Sequence, residues 1–416
     1  MAVSRDGLLR SLEQQRRLLA SSIVLTPTDS LPFSLADREH TAFLHGLYIS
    51  DKVRDREASK AAVIQFGGRN AAARDIASIH RLLADSLGAA EGSLRLLAGL
   101  QAHTATFMSI SRIGQTVMLL PEEAGGHYST HAILQRLGLK TIDMVVDYER
   151  LCVDHSATLN LIEQARPDFV FVDRSEGLRF EDFSFIGGLD GPTTIFDASQ
   201  YLSQILSDRY ENPLAWGFDL MLFTLHKSFP GPQKAGIVCR QRGQLWEKML
   251  SGLSALVSSS HAENSYLVGL ALLREEWLEQ YVSRLLSTAL ELETQLLRRG
   301  VSVVVRERQG QATWPATHHI WISSPDKDKA YTQFESLTKV NIQTNYRKLP
   351  YNLGYGLRLG TSVSSICGVD TPQLESLAEI IQVAIDDGAS AALRSRVGEL
   401  ARSAQATAIV PAQLWS

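Results

Sequence analysis

Cysteine is scarce in these 416 residues: Cys152, Cys239 and Cys367 are the only three, and they lie far apart. An odd, sparse set excludes a disulfide framework and fits a reducing compartment. No cysteine or histidine spacing suggests a metal, and "WPATHH" before residue 320 offers no third ligand. A cationic surplus is missing too. Lys and Arg number 41 against 45 Asp and Glu, the net charge is −4, and no dense basic run exists. That argues against a nucleic-acid partner. There is no apolar run of about 18 residues, so no membrane span is expected. The amphipathic N-terminus carries both charge signs and lacks the apolar core of a signal peptide. The expectation is a soluble cytoplasmic protein with no membrane partner.

What is present is an ordinary globular composition, 44% hydrophobic and 21% charged. The length suggests two domains. Residues 5–20 have leucines at helical spacing, and Pro27 and Pro32 follow in an irregular stretch. Then short apolar runs alternate with helical patterns. "GQTVMLLP", "KTIDMVVD", "PDFVFVD", "TTIFDAS", "FDLMLFTLH" and "AGIVC" read as strands, and "AAARDIASIHRLLADSLGA" as one of the helices between them. Such alternation predicts βαβ units and a mostly parallel sheet. A long helical pattern closes at Gly300. Beyond it "VSVVVRER", "HHIWISS" and "GLRLGTS" read as strands of a smaller α+β domain. The expected division is an N-terminal helix and arm over 1–60, a large α/β domain over 61–270, a linking helix over 271–300 and a small domain over 301–416.

Chemistry concentrates at the ends of the apolar runs. Lys227 closes "DLMLFTLH" and precedes Pro-Gly-Pro. The carboxyl ends of parallel strands are where ligand sites form. A desolvated lysine there can condense with an aldehyde; the plain alternative is a surface lysine after a strand. Asp197 closes "TTIFD". It could pair with a ring-nitrogen cation, or simply cap the helix that "DASQYLSQIL" suggests. A Schiff-base lysine and an acid that keeps a pyridine protonated are together what pyridoxal 5'-phosphate requires. Gly99, in "LAGLQAHTA", stands at a strand-to-helix junction whose N–H groups could hold a phosphate, or is a simple turn. His127 follows a Gly-Gly turn and could stack on a flat ring or cap a helix. His318 and His319 precede a strand and read as its edge.

These segments resemble serine hydroxymethyltransferase and its relatives among fold-type-I pyridoxal-phosphate enzymes. The resemblance rests on "AGGH" at 124–127, "DRS" at 173–175, "DASQ" at 197–200, "TLHKSFPGPQKAG" at 224–236 and "GLRLGTS" at 356–362, in family order over most of the chain. "FPGPQKAG" and "SSSHAEN" at 258–264 look more like the threonine transaldolase branch. The resemblance implies a fold-type-I α/β transferase working as a homodimer with shared active sites. It implies that Lys227 carries the cofactor, Asp197 pairs with the pyridine nitrogen, and His127 stacks on the ring. Ser175 would lie near the ring oxygen, while Thr224, beside His226, would position ring and lysine. Gly99, Leu100 and Gln101 would bind phosphate, helped by a partner's residues 258–264. Arg358 would clamp the substrate carboxylate.

The chain departs from the family at several places. Ala98-Gly99-Leu100 replaces a hydroxyl-rich phosphate loop, so Gln101 and backbone donors are asked for more. Gln200 stands where a histidine is usual. "LTPTDS" puts Thr28 in a serine's place, and "FLHGLY" lacks the family's catalytic glutamate, leaving His45 as the nearest acid–base candidate. No Tyr-Tyr-Gly-Gly segment lines a folate site. The expected function is therefore a folate-independent transaldolase or aldolase. It would cleave a threonine-type donor to a glycyl quinonoid and add that to an acceptor aldehyde. His45, or a water on Thr28, would move the hydroxyl proton. Hydroxymethyl transfer, another pyridoxal-phosphate reaction such as decarboxylation or racemisation, and a non-catalytic protein on this fold stay open as alternatives.

Overall fold

The computed structural model describes residues 4–33, 37–307, 314–405 and 408. Twelve strands matter here. They are β1 (Ile23–Val24), β2 (Glu91–Leu96), β3 (Thr116–Leu119), β4 (Lys140–Asp143), β5 (Phe169–Val172) and β6 (Thr193–Asp197), then β7 (Leu220–His226), β8 (Pro230–Cys239), β9 (His319–Ser323), β10 (Ile342–Gln343), β11 (Asn345–Lys348) and β12 (Tyr355–Gly360). The helices used below are α1 (Arg5–Ala20), α2 (Asn70–Ser86), α3 (Gly99–Ile110), α4 (Ala262–Leu272), α5 (Glu275–Arg298) and α6 (Thr371–Asp386).

Seven strands form the main sheet in the order β2-β8-β7-β6-β5-β3-β4. The pairs from β7 through β4 are all parallel; β8 runs antiparallel to both its neighbours. The expectation of a mostly parallel α/β sheet is met. The cause is visible in the residues. β5 reads Phe-Val-Phe-Val and is buried throughout, because parallel strands are covered on both faces. Along β7 the alternation divides the core: Leu220 and Leu222 pack on one side with Phe107 of α3, while Met221 and Phe223 pack on the other with Tyr281 of α5.

The smaller unit is an antiparallel sheet, β9-β12-β11, with α6 against it. A full capping box starts α6: Asp370 and Gln373 bond each other's backbone N–H, and Pro372 sits in the first turn. The segment after α1 joins this unit. β1 pairs in parallel with β10, and Ile23, Val24 and Leu25 lie in its core. The expected strand "VSVVVRER" does not form; Val303 makes one isolated bridge to Ile322. Two backbone hydrogen bonds tie the described part of the stretch to β9, Val304 N–H to the Trp321 carbonyl at 2.8 Å and Ser323 N–H to the Ser302 carbonyl at 2.9 Å, without a continuous ladder. The Arg306 guanidinium donates to the carbonyls of Leu178, Thr317 and His319 and pairs with Glu293. Among the described residues no helix is long and apolar enough to cross a membrane.

Candidate active site

The parallel strands all deliver their carboxyl ends to one edge, and the polar residues gather there. Asp197 is the last residue of β6, and Lys227 follows β7, its direct neighbour. Lys227 is half-buried. Burial lowers the pKa of its amine; Asp197 and Asp173 oppose the fall and Arg358 adds to it. A lysine with a lowered pKa presents more of its neutral, nucleophilic form.

Asp197 is 5% exposed. It accepts from the backbone N–H of Ser199 at 2.7 Å and faces His103 Nε2 at 2.6 Å. Burial pushes its pKa up, but the His103 hydrogen bond and the charges of His103 and Lys227 prevail and hold it at about 2. For His103 burial favours the neutral ring, and Asp173 and Asp197 outweigh it, so its pKa is raised. His103 Nδ1 lies 3.9 Å from Asp173 Oδ2, which also accepts from Thr130 Oγ1 at 2.5 Å. The result is a buried Asp173–His103–Asp197 cluster, hydrogen-bonded only between His103 and Asp197, with His103 Nδ1 lacking a hydrogen-bond partner among the described residues. Candidate ligand atoms of the three lie within 4.8 Å of one another, close enough for a metal, but both Oδ2 atoms already accept hydrogen bonds.

His127 sits half-buried after the Gly-Gly turn, edge-on to His103 with centroids 6.2 Å apart and stacked on Tyr128 at 4.7 Å. Its Nδ1 accepts from Ser129 N–H at 3.2 Å, which fixes the ring. The turn tolerates only glycine. Gly125 has φ +89°, and a Cβ there would stand 2.2 Å from the Glu176 carbonyl; at Gly126 it would stand 2.2 Å from the Leu120 carbonyl. Gly125 O in turn accepts from Ser175 N at 2.9 Å, so this turn places Ser175.

α3 begins at Gly99 with no side-chain cap, leaving its first N–H groups available to an anion. A Cβ at Gly99 would come 3.1 Å from Thr224 Cγ2, so the helix start and the end of β7 are in contact. Leu100 is exposed, and Gln101 spends its Oε1 on Leu97 N–H at 2.8 Å, leaving only its amide NH2 for a ligand. Thr224 Oγ1, Gln200 Nε2, His226 Nδ1 and Arg358 Nε are buried without a hydrogen-bond partner. Such orphans are rare in a folded interior. An uncapped helix start, a desolvated amine, an ionised acid and a ring of unspent donors fit pyridoxal 5'-phosphate.

Arg358 comes from β12 of the smaller unit and is 6% exposed. It donates to Asn345 Oδ1 at 3.0 Å and lies 3.5 Å from Glu176 Oε2; Arg347 pairs with the other oxygen. Glu176, next to Ser175, thus ties the large-domain loop to the arginine strand. Thr28 is half-buried, and its hydroxyl reaches only Asp29 at 3.4 Å; neighbouring Pro27 touches Gly360, two residues beyond Arg358. His45 stands apart from the group. Its side chain is 77% exposed and its Nδ1 lies 2.5 Å from Glu263 Oε2.

Four residues of this cluster carry no role in the sequence reading: His103, Asp173, Glu176 and His319. His318 and His319 stand at the start of β9, and both are fully buried. Burial, with nearby cations, lowers the pKa of His318 to about 3; burial above all lowers that of His80 in α2 to about 4. The sign of the consequence is definite. Below the ordinary value of 6.5 the unfolded chain takes up protons that folded His80 and His318 refuse, so stability falls as pH falls. His103, raised, acts in the opposite sense: its stabilisation is fully present below the unfolded value of 6.5 and is lost as pH rises through the folded one. The melting temperature is expected to drop by several degrees from pH 7 to pH 4.5. His80→Gln should flatten part of that slope, since this site alone contributes on the order of 3 kcal/mol; an unchanged slope counts against it.

No protein-family model matches the chain. It is 29% identical over 317 residues to the fluorothreonine transaldolase of Streptantibioticus cattleyicolor, covering 75% of this chain and 49% of that protein. The chain thus spans about half the length of that relative. It is also 29% identical over 315 residues to an L-threonine:uridine-5'-aldehyde transaldolase of a Streptomyces species, covering 73% of each. Several serine hydroxymethyltransferases match at 23% to 27% identity. The crystal structure of an L-threonine transaldolase from Pseudomonas fluorescens superposes with a TM-score of 0.86 at 22% identity, covering 98% of this chain and 92% of that one. The resemblance read from the motifs is borne out, and the fold is that of the fold-type-I pyridoxal-phosphate enzymes.

Proposed function

We propose that the chain is a pyridoxal-phosphate-dependent threonine transaldolase, cleaving a β-hydroxy-α-amino acid between Cα and Cβ and joining the glycyl fragment to a second aldehyde without folate. The observation that carries this is the placement of Lys227 and Asp197 at the ends of neighbouring parallel strands, with Asp197 held ionised by His103. The bound cofactor supplies an electron sink for the charge left on Cα when that bond breaks.

The chain's own groups do the rest. Lys227 Nζ would hold the cofactor by its aldehyde carbon, and its desolvated amine is the group placed to carry a proton when it is not so engaged. Asp197 keeps a proton on the ring nitrogen. His127, fixed by Ser129, covers a ring face. The open N–H groups of Gly99, Leu100 and Gln101 take the phosphate, with Thr224 Oγ1 beside them. Ser175 and Gln200 serve the ring's oxygen. Arg358, oriented by Glu176 and Asn345, binds the donor carboxylate. A water on Thr28 moves the β-hydroxyl proton. His45 does so only across a subunit boundary, its Nδ1 being held by Glu263 in its own chain. A homodimer with shared sites is part of this reading. It is supported by the uncovered leucines of α1: Leu8, Leu9, Leu12 and Leu18 are 54%, 48%, 61% and 45% exposed.

The test is to incubate holoprotein with threonine and an aromatic aldehyde. Acetaldehyde release and a new β-hydroxy amino acid by mass spectrometry are expected. Turnover that requires tetrahydrofolate, or loss of the donor's carboxyl group as carbon dioxide, overturns the assignment.

A further inference from the structure

The family resemblance marks Gln200 as a substitution and leaves His319 without a role; the structure joins them. His319 opens β9, pairs with Gly360 across the sheet, and is fully buried. Its Nδ1 accepts from the backbone N–H of Gly177 at 3.4 Å. A neutral imidazole whose Nδ1 accepts carries its proton on Nε2. That Nε2 stands 3.3 Å from Gln200 Oε1, so the ring donates and the amide oxygen accepts. The orientation of the amide follows. With its oxygen turned to His319, Gln200 must direct its NH2 the other way, and this nitrogen is buried with no partner among the described residues. Buried donors rarely go unused. The pair borders the cleft: Gln200 directly follows Ser199, whose N–H donates to Asp197 at 2.7 Å and whose hydroxyl accepts from Thr224 N–H at 3.0 Å.

We propose that Gly177, His319 and Gln200 form a fixed relay that presents the Gln200 amide as a hydrogen-bond donor to the hydroxyl oxygen of the bound cofactor's ring. His319 is then a positioning residue, acting through Gln200 alone. This rests on the pyridoxal-phosphate reading above. The donor is an amide and does not titrate, whereas an imidazole at 200 would bring its own charge change near the ring oxygen.

Two measurements on the purified protein test it: the pyridoxal-phosphate dissociation constant of the stripped protein by fluorescence quenching, and the pH midpoint of the bound cofactor's visible band. Gln200→Leu is expected to weaken binding by about tenfold and shift the midpoint. His319→Phe should reproduce the shift in the same direction, and the double variant should go no further than Gln200→Leu. His319→Gln, whose longer amide can place an N–H where the imidazole Nε2 stood and still donate to Gln200, should restore the wild-type midpoint. The relay is overturned if His319→Phe, with a normal melting temperature, leaves the midpoint unmoved, or if the two single effects add. Should His319→Phe fail to fold, the His319→Gln midpoint decides: a wild-type value supports the relay, a Gln200→Leu value overturns it. Wild-type protein that binds no pyridoxal phosphate overturns the cofactor reading itself.

Discussion

Lys227→Ala is expected to lower transaldol turnover by roughly 10³-fold or more, and to leave a protein that loses its cofactor on gel filtration. The segment "HKSFPGPQK" holds two inward lysines, and the structure separates their tasks. Lys234 is fully buried, and its Nζ donates to the carbonyls of Leu94 and Ser260 at 2.5 and 2.7 Å. Its hydrogen bonds are committed to the fold. Lys227 Nζ has no such acceptor among the described residues, only the through-space charges of Asp197, Asp173 and Arg358. Removing Lys227 deletes a desolvated amine and breaks no hydrogen bond, so between cofactor-free proteins the melting temperature should hold or rise while turnover collapses; against holoprotein it falls by the lost ligand stabilisation. Retention of a tenth of the activity, or a large loss of stability relative to cofactor-free wild type, counts against an attachment role.

The residues legible in the sequence are those that a linear pattern marks. Lys227 and Asp197 stand where uninterrupted apolar runs stop, and such runs are what strands buried on both faces require. The Gly-Gly turn could be seen because its backbone leaves no room for a Cβ. His103 could not be seen that way. It lies within an apolar helical stretch, and its meaning arises only when α3, set down at Gly99, brings its second turn against the end of β6. A histidine inside "LQAHTATF" is a polar group in a segment that must be buried, and that was the available signal. Glu176 and His319 acquire roles through contacts between the two units, to Arg358 and Gln200, which no local spacing encodes. The same holds for the arm: β1 finds its partner in β10, far along the chain, so it packs with the smaller unit's core. "VSVVVRER" gives only an isolated bridge and two backbone bonds to β9 despite its β-branched residues, because propensity describes a fit to a half-buried sheet and does not by itself extend a ladder.

Asp197→Asn is expected to cost turnover roughly 10²- to 10³-fold with the fold intact, a different failure from that of Lys227. The amide is nearly isosteric: its oxygen can still accept from Ser199 N–H, while its NH2 faces His103 Nε2 and pairs with it only when that nitrogen is unprotonated. What disappears is the negative charge. Asp197, at about 2, is ionised at every pH at which the protein would be assayed, and an ionised acid favours a proton on a facing ring nitrogen. An amide gives no such preference, and the cofactor's capacity to accept charge from Cα falls with that proton. The cluster behind it changes as well. His103 is charged because two carboxylates outweigh its burial; with one left, at 3.9 Å, burial gains ground and the imidazolium is expected to lose its proton at lower pH. Asp173→Asn removes the more distant carboxylate and keeps the one at 197, so it should retain most turnover while lowering the same histidine's pKa. Measuring turnover with the His103 pKa by nuclear magnetic resonance in both variants separates the two carboxylates. Equal losses of turnover at 173 and 197 would mean that the charge on His103, and not the acid facing the ring, is what catalysis needs.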